Sequence, residues 1–269
     1  MAKIADILSL IRRFAPENAT EPDFEDNVGL IVGSQNGESI GALLCLDCTE
    51  GVIAEAKEKG YKLVISHHPA IFRSVSRVTD ETPTGRMILA AAREGISVYS
   101  AHTNLDFCQG GLNDFAAELI GLKNIRPMAV ENDIGIGRIG ELDDSVTATV
   151  LAGKVADIFS DKRAAVAGNG NKTVKRVAVV NGGGGDISFL TLAASCNADC
   201  YVTGDVPHHV ALYADQSGLP IIILQHYAAE RIYIKRLGEI LSGLARNDNT
   251  DVQFEISEYE RNPIRMEEV

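Results

Sequence analysis

Lys62-Leu63-Val64-Ile65-Ser66-His67-His68-Pro69 is the stretch that decides how this chain folds. Lys62 to Ile65 has the length and composition of a short buried strand. Two adjacent histidines at its end would face opposite ways if the strand continued. Pro69 removes a backbone donor and biases His68 toward an extended conformation. The strand is therefore expected to stop at the pair, and a turn can aim both imidazoles at one place. Neutral imidazole is the commonest metal ligand among side chains that titrate near neutrality.

Three more segments share this arrangement. Ile96 to Ser100 is strand-like and runs into Ala101-His102-Thr103-Asn104-Leu105-Asp106. Cys200-Tyr201-Val202 leads to Thr203-Gly204-Asp205-Val206-Pro207-His208-His209. Pro220 to Leu224 is followed by Gln225 and His226-Tyr227-Ala228-Ala229-Glu230, where the i,i+4 spacing puts His226 and Glu230 on one helix face. All six histidines of the chain fall in these four segments. In open α/β sheets ligands gather at the carboxyl ends of strands, which is where these groups lie.

Strand-like and helix-like segments alternate, which predicts an α/β fold. Thr49 is placed to cap one helix that Gly60 ends, Pro83 to open another that Gly95 closes, and the helix from Leu112 to Ile120 stops at Gly121. Ile4, Ile7, Leu8, Ile11 and Phe14 line one face of an N-terminal amphipathic helix. Beyond Pro127 the texture changes: residues 134–140 and 146–152 read as β-rich. The expected division is a first lobe at 1–126, a second at 127–221, and a C-terminal segment at 222–269 returning to the metal residues. The order strand, helix, strand, His-His at 43–68 has an echo of pattern at 177–209. Gly182 to Gly185 lacks the Lys-Ser/Thr of a P-loop and is read as a strand-to-helix turn.

Composition narrows the classes. At 269 residues and 45% hydrophobic content the chain can bury a sizeable core. It has no apolar run of the roughly 20 residues that span a bilayer, and its N-terminus lacks a signal-peptide pattern, so a cytoplasmic protein is expected. Five cysteines argue against a disulfide framework, and Cys45, Cys48, Cys196 and Cys200 are read as buried thiols. The net charge of −12 disfavours a general nucleic-acid-binding surface.

Histidines with carboxylates suit zinc, iron or manganese. The candidate ligands are His67, His68, Asp106, His226 and Glu230. Five is too many for one open catalytic metal, which takes about three protein ligands and a water. The set fits two divalent ions about 3.5–4 Å apart, bridged by a carboxylate and a water. His102 lies four residues before Asp106 and is a candidate for proton transfer rather than ligation. His208 and His209 are equally compatible with lining a pocket and with sitting exposed at a helix start.

Taken together, Ser66-His67-His68-Pro69, Ala101 to Asp106, Thr203-Gly204-Asp205 with His208-His209, and His226 to Glu230 resemble the NIF-three-like dinuclear metal proteins. That family is also catalogued as GTP cyclohydrolase 1 type 2. Asp26-Asn27-Val28-Gly29-Leu30-Ile31-Val32-Gly33 resembles its N-terminal motif, and the resemblance spans nearly the whole chain. It implies an α/β fold of two similar lobes with the metal site at strand ends in the cleft between them. It implies that His67, His68, Asp106, His226 and Glu230 hold two metals, and that the chain forms a ring-shaped homohexamer. It also implies a metal-dependent hydrolase of a nucleotide or related small molecule; opening the imidazole ring of GTP requires hydroxide attack at a ring carbon. The alternative is a non-enzymatic metal-binding or regulatory ring that contacts nucleic acid or a protein. This chain has Glu25 where the family commonly has Trp, and Gln225 where it commonly has Gly.

Overall fold

A computed structural model describes residues 1–22, 24–162 and 164–264. The chain divides into two compact units, Met1–Leu105 with Tyr233–Val269, and Asp106–Ile232. The sequence division placed its boundary near Pro127 and set 222–269 apart, and the last five residues of that segment lie outside the described residues. Among the described residues no helix is long and apolar enough to cross a membrane.

The first unit is built on a five-stranded sheet. Its order is Gln253–Ile256, Gly41–Cys45, Leu63–Ser66, Ser97–Ser100, Gly29–Val32. The first four run parallel and Gly29–Val32 is antiparallel. The three central strands are buried along their whole length, as parallel strands covered by helices on both faces must be. Leu43, Cys45, Val64 and Val98 pack with Val52, Ile53 and Ala56 of the helix Glu50–Glu58 and with Met87 and Ala91 of the helix Pro83–Glu94. The first helix starts at the expected cap, Thr49 Oγ1 accepting from Val52 N, and the second opens at Pro83 as expected, with Thr82 Oγ1 capping it by accepting from Gly85 N. Gly95 ends the second at φ 61°, a left-handed conformation that glycine adopts without a Cβ penalty. In the N-terminal helix Ile4–Phe14 the buried residues are Ile4, Ile7, Leu8, Leu10 and Ile11, so Leu10 takes the place expected for Phe14, which is half-buried.

The second unit holds a six-stranded mixed sheet in the order Ala165–Ala167, Ile221–Leu224, Cys200–Gly204, Thr173–Val179, Arg138–Thr147, Lys123–Arg126. The three middle strands, Ile221–Leu224, Cys200–Gly204 and Thr173–Val179, are parallel. The β-rich expectation for 146–152 is corrected here: Ala148–Ile158 is a helix. Thr147 Oγ1 caps it by accepting from Val150 N, and Ala148, Leu151, Ala152 and Val155 bury one helical face, a period that alternation alone does not capture.

The echo between 43–68 and 177–209 extends over six elements. Apart from the two-residue strand Glu38–Ser39, an antiparallel strand, a strand, a helix, a strand, a helix and a strand run from 29 to 100 in the first unit; in the second the same order runs from 165 to 224. In each, the leading antiparallel strand pairs with the last strand of the series. The histidine segments follow the second and third parallel strands in both: His67-His68 and His102 in one, His208-His209 and His226 in the other.

The second unit also buries a charge. The Arg138 guanidinium donates to both Asp114 carboxylate oxygens and to the carbonyls of Gly135, Gly137, Phe107 and Cys108. Its side chain is 4% exposed. Asp114→Ala would leave this cation uncompensated, and breaking a buried pair in this way typically costs about 3–5 kcal/mol. We expect a loss of that order in the urea unfolding of Asp114→Ala; a loss under about 1 kcal/mol would show that the carbonyl cage suffices on its own.

Candidate metal centre

In the first unit the backbone holds the histidine pair in place beyond the formal strand end. His67 N donates to Cys45 O and His68 N to Leu46 O, extending the ladder by two residues. Ser66 Oγ donates to His68 O at 2.8 Å and fixes the turn before Pro69. The result brings three imidazoles together. The ring centroids of His67 and His68 are 5.1 Å apart, and His102 lies 5.4 Å from the first and 5.9 Å from the second.

Each of the three rings is held through Nδ1. His67 Nδ1 meets Ala101 O at 2.8 Å, His68 Nδ1 meets Asp47 Oδ1 at 2.8 Å, and His102 Nδ1 meets Asp26 Oδ1 at 2.7 Å. An oxygen acceptor fixes the proton on Nδ1 and leaves the Nε2 lone pair for other chemistry. Asp26 is itself anchored, accepting from Thr103 N and Thr103 Oγ1. Burial raises the Asp26 pKa, but the hydrogen bond and charge of His102, with bonds from Thr103 and the Asn27 backbone, outweigh it and bring the carboxyl down to about 2.

The second unit repeats the device. His226 opens the helix His226–Asn247; its Nδ1 meets Asp205 Oδ2 at 2.6 Å and its Nε2 lies 2.9 Å from Glu230 Oε2. The Glu230 side chain is only 4% exposed, and a carboxylate taken out of water needs a cation or hydrogen-bond donors around it. Gly182, at φ +62°, makes room for it, because a Cβ there would collide with Glu230 Oε1. The glycine run is thus a turn between Thr173–Val179 and the helix Ile187–Ser195, which Asp186 caps by accepting from Ser188 N, and it gives clearance to a carboxylate.

The expected site residues therefore fall into two sets. The first unit brings together His67, His68 and His102; the second brings together His226 and Glu230. Asp106, in the short helix Thr103–Phe107, begins the second unit, and its carbonyl accepts from Asn113 Nδ2. His208 and His209 are exposed at the start of the helix His208–Ser217. Cys45, Cys108 and Cys200 are buried thiols, and burial pushes Cys108 and Cys200 up to about 12; Cys48 and Cys196 are half-buried. Sequence reasoning missed the three orienting carboxylates. Asp26 and Asp205 sit inside motifs already singled out and Asp47 lies two residues past a buried strand, but nothing in one sequence pairs an acid with a histidine 21 or 76 residues away.

Carboxylates that hold the far ring nitrogen of a metal-binding histidine typically tune metal affinity about 10–100-fold. Asp47→Ala and Asp205→Ala should each weaken metal binding in that range while circular dichroism stays unchanged; unaltered affinity in both would contradict the orienting role. Asp26 also yields a pH prediction. Its folded pKa lies below the ordinary 3.8, so the stability it contributes is present above that value and is lost as pH falls through about 2. Metal-free wild type should unfold at higher urea than Asp26→Asn near neutral pH, and the gap should narrow on acidification; a gap independent of pH would contradict the assignment.

The family profile described as Duf34/NIF3 (NGG1p interacting factor 3) matches residues 2–263. A Clostridium perfringens protein named GTP cyclohydrolase 1 type 2 homolog is 36% identical, with 98% of this chain and 99% of that protein covered. A Lactococcus lactis protein of the same name is 35% identical over 97% and 98%. Among solved structures, Staphylococcus aureus protein SA1388 superposes with a TM-score of 0.90 at 28% identity, covering 98% of this chain and 99% of that one. Reduced HcgD from Methanocaldococcus jannaschii gives 0.78 at 29% identity, over 95% and 97%. With its α/β units and its strand-end histidines, this chain belongs to the Duf34/NIF3 family.

Proposed function

We propose that this protein is a metal-dependent hydrolase of a nucleotide or related small molecule, with two divalent ions held by His67, His68, Asp106, His226 and Glu230. The observation that carries the reading is the anchoring of His67, His68 and His226 through Nδ1, which leaves Nε2 as the ligand atom; in His226 that nitrogen lies beside the Glu230 carboxylate. His67, His68 and Glu230 are residues that could hold a metal ion. The donor set of imidazole nitrogen and carboxylate oxygen suits zinc, iron or manganese. The buried Glu230 carboxylate, given clearance by Gly182, would hold both ions.

When bound, two such ions supply Lewis acidity and hydroxide at near-neutral pH, with no Ser or Cys nucleophile needed. The chain's own residues do the rest. Asp47 and the Ala101 carbonyl hold His68 and His67 in one tautomer, and His226 is held by Asp205 at Nδ1 and by Glu230 at Nε2. Asp26 keeps the His102 proton on Nδ1, so His102 exchanges protons with the substrate through Nε2. The names of the relatives carry the word homolog, so a GTP-type ring opening is the substrate reading they support rather than a measured activity. The resemblance further supports a homohexameric ring, and the charge of −12 weighs against duplex nucleic acid as a partner.

Elemental analysis of reconstituted wild type and variants tests this. Glu230→Ala is expected to lose both ions and Asp106→Ala mainly one, each with loss of metal-dependent turnover in a nucleotide screen. Retention of two ions by Glu230→Ala would contradict the bridging role. Full metal content with no turnover on any substrate would favour the metal-binding or regulatory alternative. Light scattering of the 28.8 kDa chain tests the ring: a stable monomer at micromolar concentration would exclude it.

A further inference from the structure

Among the described residues, Phe24 and Phe72 are the only exposed phenylalanines, at 39% and 49%. They are also neighbours, with ring centroids 6.1 Å apart and planes tilted by 40°. Both lie 6.2 Å from the ring of His102, Phe24 tilted by 50° and Phe72 edge-on at 88°. The separations fall within the range of aromatic pairing, and the two phenylalanines of the group are exposed. His102 is in turn within 6 Å of His67 and His68.

The two loops that carry these rings are fixed. Asn27 Nδ2 donates to Ile71 O, which ties the segment after Phe24 to the residue before Phe72. Asp26 binds His102 and Thr103, which ties the same segment to the histidines. Two large apolar rings are thus left in water yet held in register with the proposed proton-transfer residue. Such preorganisation lowers the cost of binding a flat partner.

We infer that Phe24 and Phe72 form a stacking site for a planar heteroaromatic ring, of the purine type, next to His102. Aromatic side chains take bases by their π faces, which every base has, and this arrangement needs no hydrogen-bond code. The inference rests on the hydrolase reading only in calling that ring part of the substrate; the binding site itself is independent of turnover.

The test uses the full chain reconstituted with metal and titrated calorimetrically with guanosine, adenosine and ribose 5-phosphate. The nucleosides report on the ring alone, and the sugar phosphate on contacts that do not need it. Wild type is expected to bind the nucleosides. Phe24→Ala and Phe72→Ala should each weaken that binding about 5- to 100-fold, the range found when a stacking ring is removed. Phe72→Trp should restore it, ribose 5-phosphate binding should not change, and metal content and light-scattering mass should stay as in wild type. Nucleoside binding that is absent from wild type, or indifferent to both alanine variants, would overturn the inference. A change of mass in those variants with unaltered nucleoside affinity would also overturn it and assign the two rings to an interface between copies of this chain. Ring binding without turnover would sink the hydrolase reading and leave this one standing.

Discussion

The histidines of the candidate site are held by one repeated hydrogen bond, that from imidazole Nδ1 to an oxygen. It occurs four times, to Ala101 O, Asp47, Asp26 and Asp205. Each bond decides a tautomer, and the tautomer decides which nitrogen can take a metal or move a proton. Without it the rings would rotate and divide their lone pairs between two directions. Three of the four acceptors are carboxylates, which also raise the basicity of the nitrogen that remains.

The fold exists to place those bonds. In both units a parallel βαβαβ series delivers its histidines just past the strand ends, where backbone groups leave the ladder and side chains can turn inward. His67 and His68 still pair with Cys45 and Leu46, so the site inherits the rigidity of the sheet. In the second unit the demand is for space: Glu230 is buried against a turn where a Cβ at position 182 would collide with its Oε1. A metal site of imidazole and carboxylate would therefore constrain residues that never touch a metal, among them Gly182, Asp47 and Asp205.

Much of this was legible in the sequence because it is local. The strand that stops at His67-His68, the Thr49 cap, the left-handed Gly95, and the shared helix face of His226 and Glu230 are all set within a few residues. What was not legible is set by tertiary partners. Residues 148–152 look β-rich, yet Thr147 caps them into a helix whose Leu151 and Val155 pack on the second sheet's core. Leu10 rather than Phe14 is buried because the core, not the ideal stripe, chooses the face. Asp26 and Asp205 are polar loop residues until the fold brings each to an imidazole, and Phe24 and Phe72 are ordinary apolar letters until burial shows that they stayed outside.

The central claim is that imidazole nitrogen and carboxylate oxygen hold the metal, with no thiolate. X-ray absorption at the metal edge of the reconstituted protein tests it most directly. The account predicts a first shell of nitrogen and oxygen only, imidazole scattering beyond it, and a metal–metal vector of about 3.5–4 Å. A sulfur shell near 2.3 Å, the distance expected for a zinc–thiolate bond, would contradict it, and so would a protein that binds no divalent metal at all.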